Sequence, residues 1–491
     1  MKRQLFLVHR WTGVVLCLFM AMWFISGVVM MYVGYPKLTH NEHLAALPPL
    51  DGRACCHLAP QAQGARSVRL TTIGGNPRLV IVDKAGVPAA HDAVSGQVLP
   101  PIGQTEATLA AAAFAGRAPV RYLGPVDEDA WTHSRALDVH RPLHAVQVED
   151  DARTVLYLSG RTGEVVRDAT LSERRWNWVG AWIHWLYAFR GGALDAHWPN
   201  IVIWTSVAGT VLAVTGLVVG LLRWRFFSRY RHGGRSPYRG LAFRWHHLVG
   251  LGFGALTITW IFSGLMSLNP WGVFDSGARA LDQAAFGAGP PRLDPGDLEV
   301  PRLLHRLEAG GFTARELEWR QVSGKLTLLA WDGAGRSRLL DPEGTSPPRA
   351  MLPIAELALN GARLMTGAIV VRHQVLTEYD SYYYGRAPHT MTGHVERRLP
   401  VLRLAFDDPH ATWVHLDPYT GEVVGRLDRH QRVKRWLFAF LHSFDWWPLM
   451  ASRPAWDLLL IAGSLGGLVL SVTGIWMGAR RLRLKAGAVR S

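Results

Sequence analysis

Four histidines in apolar, aromatic segments are the residues of this chain best suited to chemistry. His9 lies in HRWTG, and His246 lies in HHLVG 237 positions later. His184 lies in GAWIHWLYAF, and His442 lies in FLHSFDWWP 258 positions later. A single histidine in such a segment is most often a structural residue with a hydrogen-bonded ring. The imidazole is also the commonest metal ligand in proteins, and the occurrence of two matched pairs favours metal ligation.

The two pairs belong to an internal repeat. TGEVV occurs at 162–166 and again at 420–424, which is the shift that relates His184 to His442. At the shift of 237, Ser26–Gly27 aligns with Ser263–Gly264. Further matches are Trp23 with Trp260, Pro142 with Pro400, Asp150 with Asp408, Thr154 with Thr412, and Thr215–Gly216 with Thr473–Gly474. The chain therefore reads as one unit written twice in parallel, with a pseudo-twofold axis along the membrane normal.

Four segments are long and apolar enough to span a bilayer, at 5–33, 201–222, 248–268 and 457–478. The formal net charge of +15 lies entirely beside these spans, within 2–10, 223–244 and 480–490. The positive-inside rule then predicts that both termini and the 223–244 loop are cytoplasmic. This location of the charge removes the support for nucleic-acid binding. The first span has no small-residue cleavage site and is expected to be retained as a helix.

Symmetry about the membrane normal predicts which histidines can meet. Equivalent residues share one depth and face each other across the axis, so His9 is expected to face His246 and His184 to face His442. Pairing His9 with His184 instead would have to bridge a hydrocarbon core about 30 Å thick. A planar haem takes two axial imidazoles in an apolar slot, and each pair suits one haem. A structural zinc ion, which usually takes four ligands, suits them less.

The expected haems are two, of the b type and bound without covalent links. Cys55 and Cys56 are adjacent in RACCHLAP and do not form the C-x-x-C-H of covalent attachment. His247 lies about 100° around the helix from His246, so it is expected to face solvent or lipid phosphate rather than the haem.

The sequence resembles the PepSY-associated transmembrane proteins of bacterial iron uptake over nearly its whole length. The resemblance rests on HRWTG at 9–13, FLHSFDWWP at 440–448, and LAFDDPHATWVHLDPYTGEVVGRLD at 404–428. The first copy lacks the Asp-Pro before its TGEVV turn. The family includes inner-membrane ferrisiderophore reductases with two b-type haems. The resemblance implies periplasmic outer regions and electron delivery to a ferric siderophore, with a quinol or a cytoplasmic reductant as the electron donor.

The predicted fold is an α-helical membrane protein of the bacterial inner membrane, surrounded by membrane lipids. It has four transmembrane helices as a parallel two-fold internal repeat and two periplasmic α+β PepSY-like regions. The predicted boundaries are transmembrane helix 1 at 1–33, PepSY-like region 1 at 34–175, an interfacial helix with transmembrane helix 2 at 176–225, a basic cytoplasmic loop at 226–244, transmembrane helix 3 at 245–268, PepSY-like region 2 at 269–432, an interfacial helix with transmembrane helix 4 at 433–480, and a cytoplasmic tail at 481–491.

The outer segments read as mixed α and β. PRLVIVDKAGVP and KLTLLAWDGAG favour short strands with glycine turns, whereas EATLAAAAFAG and PIAELALNGARL have helical apolar spacing. LDPYTGEVVGRL favours a strand, a turn and a strand. No nucleophile elbow, HExxH or paired carboxylates occur, so no catalytic acid, base or nucleophile is assigned and hydrolysis is not indicated.

The substrate site is the least determined part. EYDSYYYGR offers Tyr382, Tyr383, Tyr384 and Arg386, which could stack on a ferric chelate or hydrogen-bond to it, although strands that face a core are equally rich in tyrosine. Two other functions stay open at this stage. One is a haem-free scaffold or sensor that binds a periplasmic protein or peptidase. The other is a haem reductase with another acceptor, such as copper or a disulfide.

Overall fold

The computed structural model describes residues 2–51, 55–58, 64–116, 118–293 and 296–490. The helices are α1 (Lys2–Met30), α2 (His40–Ala46), α3 (Gln104–Phe114), α4 (Leu171–Val179), α5 (Ala181–His184), α6 (Trp198–Arg223), α7 (Leu241–Ser267), α8 (Gln283–Phe286), α9 (Val300–Ala309), α10 (Ile354–Gly361), α11 (Arg429–Arg435), α12 (Leu441–Ser443), α13 (Trp447–Met450) and α14 (Ala455–Arg490). The strands are β1 (His57–Leu58), β2 (Ser67–Ile73), β3 (Asn76–Val82), β4 (Pro88–Asp92), β5 (Val120–Val126), β6 (Leu143–Val148), β7 (Val155–Ser159), β8 (Val165–Ala169), β9 (Gly296–Asp297), β10 (Glu316–Val322), β11 (Lys325–Trp331), β12 (Ser337–Leu340), β13 (Val370–Leu376), β14 (Val401–Phe406), β15 (Trp413–Leu416) and β16 (Val423–Leu427).

Four helices, α1, α6, α7 and α14, form a bundle and are long and apolar enough to cross a membrane. Glycines allow them to approach closely. A Cβ at Gly254 would lie 3.1 Å from Leu217, and one at Gly463 would lie 2.6 Å from Leu256 and Trp260. Such contacts between small and large side chains are how membrane helices pack without a hydrophobic driving force between them. The four predicted spans are therefore helices, although α7 begins 7 residues before the predicted third span and α14 extends 12 residues beyond the predicted fourth span.

A six-stranded antiparallel sheet joins the two halves of the chain, with the order β12-β11-β10-β2-β3-β4. At its centre β2 pairs with β10, so that Leu70 lies opposite Leu317 and Val68 lies opposite Trp319. These side chains are buried together with Leu303 and Leu307 of the amphipathic α9. The sequence predicts two separate outer regions and gives no sign of this shared sheet. Their predicted boundaries stay a prediction.

Two four-stranded sheets have the same order, β5-β6-β7-β8 and β13-β14-β15-β16. Each is covered by one helix, with Ala107 and Ala111 of α3 packing on the first and Leu357 of α10 packing on the second. The TGEVV segments make the turns between the last two strands, where Gly163 and Gly421 adopt positive φ. The predicted strands, helices and glycine turns of the outer segments are confirmed.

The glutamates of the two TGEVV turns tie these sheets to the six-stranded sheet. Glu164 lies 2.5 Å from Arg69, whose guanidinium also pairs with the buried Glu316 at 2.6 Å. Glu422 pairs with Arg320 of β10. An ion pair that is mostly shielded from water is sensitive to the loss of either partner, because the remaining charge is left uncompensated.

The segments that carry His184 and His442 are helical, and each is followed by a residue with left-handed backbone. In the first, α4 ends at Gly180, α5 covers only Ala181–His184, and Leu186 is left-handed with φ 54°. In the second, α11 runs into a π-helical turn at Trp436–Phe440 before α12, and Phe444 has φ 46°. Both histidines lie in helical segments before α6 and α14, and a left-handed residue turns the chain two positions after each histidine.

Candidate functional site

His184 and His442 face each other, with ring centroids 6.1 Å apart and planes at 76°. Nδ1 of His184 lies 2.9 Å from the hydroxyl oxygen of Ser26, and Nδ1 of His442 lies 3.1 Å from that of Ser263. Each serine hydroxyl donates its one proton to the carbonyl three residues earlier in its own helix. The serine oxygens therefore accept from the histidines, so both imidazoles carry the proton on Nδ1 and leave Nε2 with a free lone pair.

His9 and His246 form a second pair, with ring centroids 6.2 Å apart and planes at 45°. Nδ1 of His9 lies 3.3 Å from the carbonyl oxygen of Leu212, which can only accept. Nδ1 of His246 lies 2.9 Å from the Thr473 hydroxyl, which donates its proton to carbonyls of its own helix. Both rings are therefore protonated on Nδ1, as in the first pair. None of the four Nε2 atoms has a hydrogen bond to another residue in the described part of the chain.

This geometry fits a metal held between two imidazoles. Two imidazoles that bind one metal ion from opposite sides have ring centroids about 6 Å apart, because each metal–nitrogen bond is about 2 Å long. All four histidine residues are partly buried. Over the described residues, no cluster of three or more His, Cys, Asp or Glu side chains could hold an ion. Each pair thus offers two histidine nitrogens, which is the number that haem iron takes from a protein and fewer than the four ligands of a structural zinc ion.

Glycines leave space beside each ring. A Cβ at Gly216 would lie 2.7 Å from Cε1 of His9, and one at Gly474 would lie 3.7 Å from Cε1 of His246. At the other pair, a Cβ at Gly27 would lie 3.8 Å from Cε1 of His184, and one at Gly264 would lie 3.5 Å from Cε1 of His442. Every histidine therefore lies against the backbone of a neighbouring helix, and at Gly216 an added Cβ would force the His9 ring or the helix to move.

Two tryptophans have buried indole nitrogens that lack a hydrogen-bond partner among the described residues. They are Nε1 of Trp182, two residues before His184, and Nε1 of Trp260, whose carbonyl oxygen lies 3.2 Å from Nδ1 of His442. A buried N–H without an acceptor costs free energy, so such donors are rare unless a bound group accepts from them. The Trp182 ring packs on Trp178, about 200° around the helix from His184, so its N–H is not assigned to the histidine pair.

The two pairs lie at opposite ends of the bundle. His9 precedes Ser26 by 17 residues in α1, and His246 precedes Ser263 by 17 residues in α7. At about 1.5 Å per residue, this spacing corresponds to about 25 Å along the helix axes. One pair is thus near each end of helices that are long enough to cross a bilayer about 30 Å thick.

His247 has a different environment from the four paired histidines. Its Nδ1 lies 2.7 Å from the Ser236 hydroxyl, and its Nε2 lies 2.9 Å from the carbonyl oxygen of Gly220. With 6 % of its surface exposed, it is buried, so the expectation that it faces solvent or lipid phosphate is wrong. Both ring nitrogens are occupied, which leaves no lone pair for a metal.

The tyrosines that were predicted to contact a chelate make internal contacts. Tyr383 is buried and stacks on His415, while the Tyr382 hydroxyl accepts from Nε1 of Trp436. Tyr384 and Arg386 both bind Asp445, at 2.9 Å and 2.7 Å. The contacts with Asp445 attach the segment to the chain that follows His442, and the others attach it to β15 and to the helical turn before His442. A chelate site at these four residues stays a prediction.

Sequence reasoning missed Ser26, Ser263 and Thr473, which orient the histidines. The signal was present, because Ser26–Gly27 aligns with Ser263–Gly264 and Thr473–Gly474 aligns with Thr215–Gly216 in the repeat. Each Ser-Gly or Thr-Gly dipeptide supplies a hydroxyl group and a glycine next to it. The sequence alone does not show which residue across the bundle each hydroxyl contacts.

The bundle and the sheets define a multi-pass membrane protein with α+β regions attached to one bundle of four helices. The family profile of the PepSY-associated TM region matches residues 6–327, so the chain belongs to that family. The resemblance seen in the sequence is thereby confirmed. No curated protein matches the sequence.

Proposed function

We propose that this chain is an inner-membrane haem b protein that carries electrons across the membrane and reduces a ferric siderophore in the periplasm. His9 and His246 would hold one haem, and His184 and His442 would hold the other. The observation that carries the proposal is that both pairs combine a centroid separation of 6.1–6.2 Å with protonation on Nδ1. A haem-free scaffold has no need of this arrangement at two depths.

The protein residues around each pair orient the ligands and exclude water. Ser26, Ser263 and Thr473 accept from Nδ1–H, which fixes the ring orientation and makes Nε2 more basic. Phe24 and Trp260, with centroids 6.0 Å apart, belong to the apolar core between the two ends of the bundle. Haem b, when bound, supplies a carrier that takes up and gives up one electron at a time.

The overall reaction balances without a protein acid or base. Each Fe(III) that becomes Fe(II) takes up one electron, and a quinol that is oxidised to a quinone supplies two electrons and releases two protons. One quinol therefore serves two ferric chelates. Fe(II) is a softer and less charged ion than Fe(III), so the hard oxygen ligands of a siderophore hold it more weakly and the iron is released.

The repeat and the orientation are parts of the same proposal. At the shift of 258 positions, left-handed Leu186 aligns with left-handed Phe444, and Arg153 aligns with Ala411, which also has positive φ. The two four-stranded sheets also share one strand order. These matches support a duplicated unit.

The basic segments beside the spans support cytoplasmic termini. Because the sheets and the His184–His442 pair lie at the other end of the spans, they would then be periplasmic.

An assay of Fe(II) formation tests this function. Proteoliposomes that contain the purified protein and a quinol receive ferric citrate outside, and Fe(II) is measured as its coloured ferrozine complex. Wild-type protein should form Fe(II), and His184→Ala should not. His373→Ala removes an exposed histidine of β13 and should behave as wild type. Equal rates in all three proteins and in protein-free liposomes would contradict the proposal.

A further inference from the structure

A further pair of histidines lies in the sheet-bearing part of the molecule, outside the helix bundle. His410 is in the turn between β14 and β15, and His430 is the second residue of α11. Their ring centroids are 6.1 Å apart, with planes at 75°. The segment that follows α7 lies beside both rings, with Asp275 at His430 and Gly277 at His410. Three distant parts of the chain therefore meet at this pair.

Each of the two rings keeps at least one nitrogen without a hydrogen bond. Nδ1 of His430 lies 3.1 Å from the carbonyl oxygen of Asp275, which can only accept, so the lone pair of Nε2 stays free. Among the residues that the structure describes, His410 forms hydrogen bonds through its backbone only. Gly277 leaves open space beside its ring, where a Cβ would lie 2.8 Å from Nδ1 and 3.1 Å from Nε2. His430 is exposed and His410 is half-buried, so both can be reached from solvent.

The separation of the rings suits one metal ion between them. The centre of an imidazole lies about 3.2 Å from a metal ion that its nitrogen binds, because the metal–nitrogen bond is about 2.0–2.1 Å long. Two imidazoles on one ion therefore have centroids from about 5 Å apart, at a tetrahedral angle, to about 6.4 Å apart, when they are opposed. The observed 6.1 Å lies in this interval. With two protein ligands the other positions are left to water, which agrees with the lack of a three-residue metal cluster among the described residues.

The fold of this junction does not require the two imidazoles. At the shift of 258 positions, Ala152 aligns with His410 and Ser172 aligns with His430. The N–H of Leu171 donates to the carbonyl oxygen of Ala152 at 2.8 Å, and the residue before His430 donates to that of His410 at 3.0 Å. The same backbone hydrogen bond thus forms with alanine and serine in place of the histidines.

We propose that His410 and His430 bind one divalent transition-metal ion, held by Nε2 of His430, one ring nitrogen of His410 and water. The ion belongs to the class of borderline hardness that includes Zn(II), Ni(II) and Fe(II), because imidazole suits such ions better than Mg(II) or Ca(II). The site involves neither haem nor electron transfer, so it goes beyond the proposed function and does not depend on it.

Equilibrium dialysis of the purified full-length protein in detergent against micromolar Zn(II) tests this site, because Zn(II) has no redox chemistry. Bound zinc per chain is measured by atomic absorption. The variants are His410→Ala and His430→Ser, which introduce the residues found at the aligned positions of the first half of the chain. Wild-type protein should bind about one zinc ion per chain more than either variant.

His373→Ala is the matched control, because it removes an exposed histidine elsewhere on the same sheet. It should bind as much zinc as wild type, and zinc held at other histidines cancels in the comparison. Unfolding temperatures without zinc show that the variants are folded. With zinc, the unfolding temperature of wild type should rise more than that of His410→Ala or His430→Ser, because an ion that binds only the folded state stabilises it.

Equal zinc content and equal stabilisation by zinc in wild type and in both folded variants would overturn the proposal. So would loss of the ion in only one of the two variants, since a shared site needs both imidazoles.

Discussion

The chemistry of the four histidines depends on hydroxyl and carbonyl groups that hold their rings. An imidazole without a hydrogen-bond acceptor at Nδ1 can rotate and change its tautomer. The lone pair of Nε2 is then available to a metal ion only part of the time. Partners of this kind typically change metal affinity 10- to 100-fold. Ser263 is such a partner of His442. Its hydroxyl oxygen accepts from Nδ1 of His442, and its proton is donated to the carbonyl oxygen of Trp260.

Ser263→Ala removes the nearer of the two acceptors at Nδ1 of His442 and leaves the Trp260 carbonyl oxygen at 3.2 Å. It should therefore weaken haem binding at the His184–His442 pair by at most about tenfold, the lower end of the range for such partners. Ser267→Ala is the control, because Ser267 lies one turn further along α7 and its hydroxyl donates only to the carbonyl oxygen of Gly264. Haem retention during dilution in detergent, followed by absorbance, measures the difference. Equal retention by the two variants would show that the Ser263 hydroxyl does not orient His442.

His247→Ala should retain both haems and lower the stability of the protein. The substitution leaves the buried carbonyl oxygen of Gly220 and the hydroxyl of Ser236 without their partner, at a cost of about 1–3 kcal/mol for each buried group. Thermal unfolding in detergent should shift to lower temperature while the ratio of haem to protein is kept. Loss of one haem at unchanged stability would identify His247 as a ligand.

Among the elements, the helix bundle requires glycine at position 216, where the His9 ring lies against α6. Gly216→Ala places a Cβ 2.7 Å from Cε1 of His9, so this ring or the helix must move. We expect loss of the haem at the His9–His246 pair and retention of the other. Gly252→Ala in α7 is the control, because no atom lies within 4 Å of its added Cβ. Haem content per chain measures both, and equal content would contradict the close packing at His9.

The local elements were largely predictable from the sequence, and the contacts between distant segments were not. The spans follow from apolar length, and the turn at Gly421 follows from Asp-Pro and TGEVV. The breaks after His184 and His442 were not predictable, since leucine and phenylalanine rarely adopt positive φ and do so only when tertiary packing imposes it.

The pairing of the histidines was predicted from the repeat, and the structure brings both pairs together. The serine and threonine hydroxyls that bind the histidines were not identified, because the aligned Ser-Gly and Thr-Gly dipeptides do not show where their side chains point. The pairing of β2 with β10 was likewise not predictable. Its partners are about 250 residues apart, and nothing local in either strand specifies the other.

In the whole molecule, the network around Arg69 joins strands from both halves of the chain. Its guanidinium pairs with Glu316 and with Glu164, both of them buried. Arg69→Ala leaves two buried carboxylates without their cation and should destabilise the outer part by about 3–5 kcal/mol. Thermal unfolding followed by tryptophan fluorescence measures the loss, and the exposed Arg372→Ala is the control. Equal stability of the two variants would show that the network does not hold the sheets together.

The same network gives a pH dependence. Burial alone would raise the pKa of Glu316, but Arg69 and His43 outweigh burial and lower it to about 2. A carboxyl whose pKa is lower in the folded state stabilises the fold above its unfolded pKa of about 4.3, and this contribution is lost as the pH falls toward 2. Glu316→Gln should therefore reduce the dependence of the unfolding temperature on pH between about 4.5 and 2. If the unfolding temperature of Glu316→Gln depends on pH as that of the wild-type protein does, other titratable groups are responsible for acid unfolding.

The orientation of the chain can be tested with a reporter that is active only in the periplasm. Inserted near Gly289, in the sheet-bearing part, it should be active, and fused after Ser491 it should be silent. The reverse result would place the sheets and the His184–His442 pair on the cytoplasmic side and would contradict reduction of a periplasmic chelate.

The most direct test of haem ligation by the four histidines is the haem content of single variants, measured as the pyridine haemochrome per chain. Wild-type protein should contain about two b-type haems that acid acetone extracts. His184→Ala and His442→Ala should each remove the same haem and leave about one, whereas His9→Ala and His246→Ala should remove the other. Absorption spectra should then be alike within each pair of variants and different between the pairs. A folded, colourless wild-type protein from haem-replete cells would contradict the assignment, as would His184→Ala with both haems and unchanged spectra.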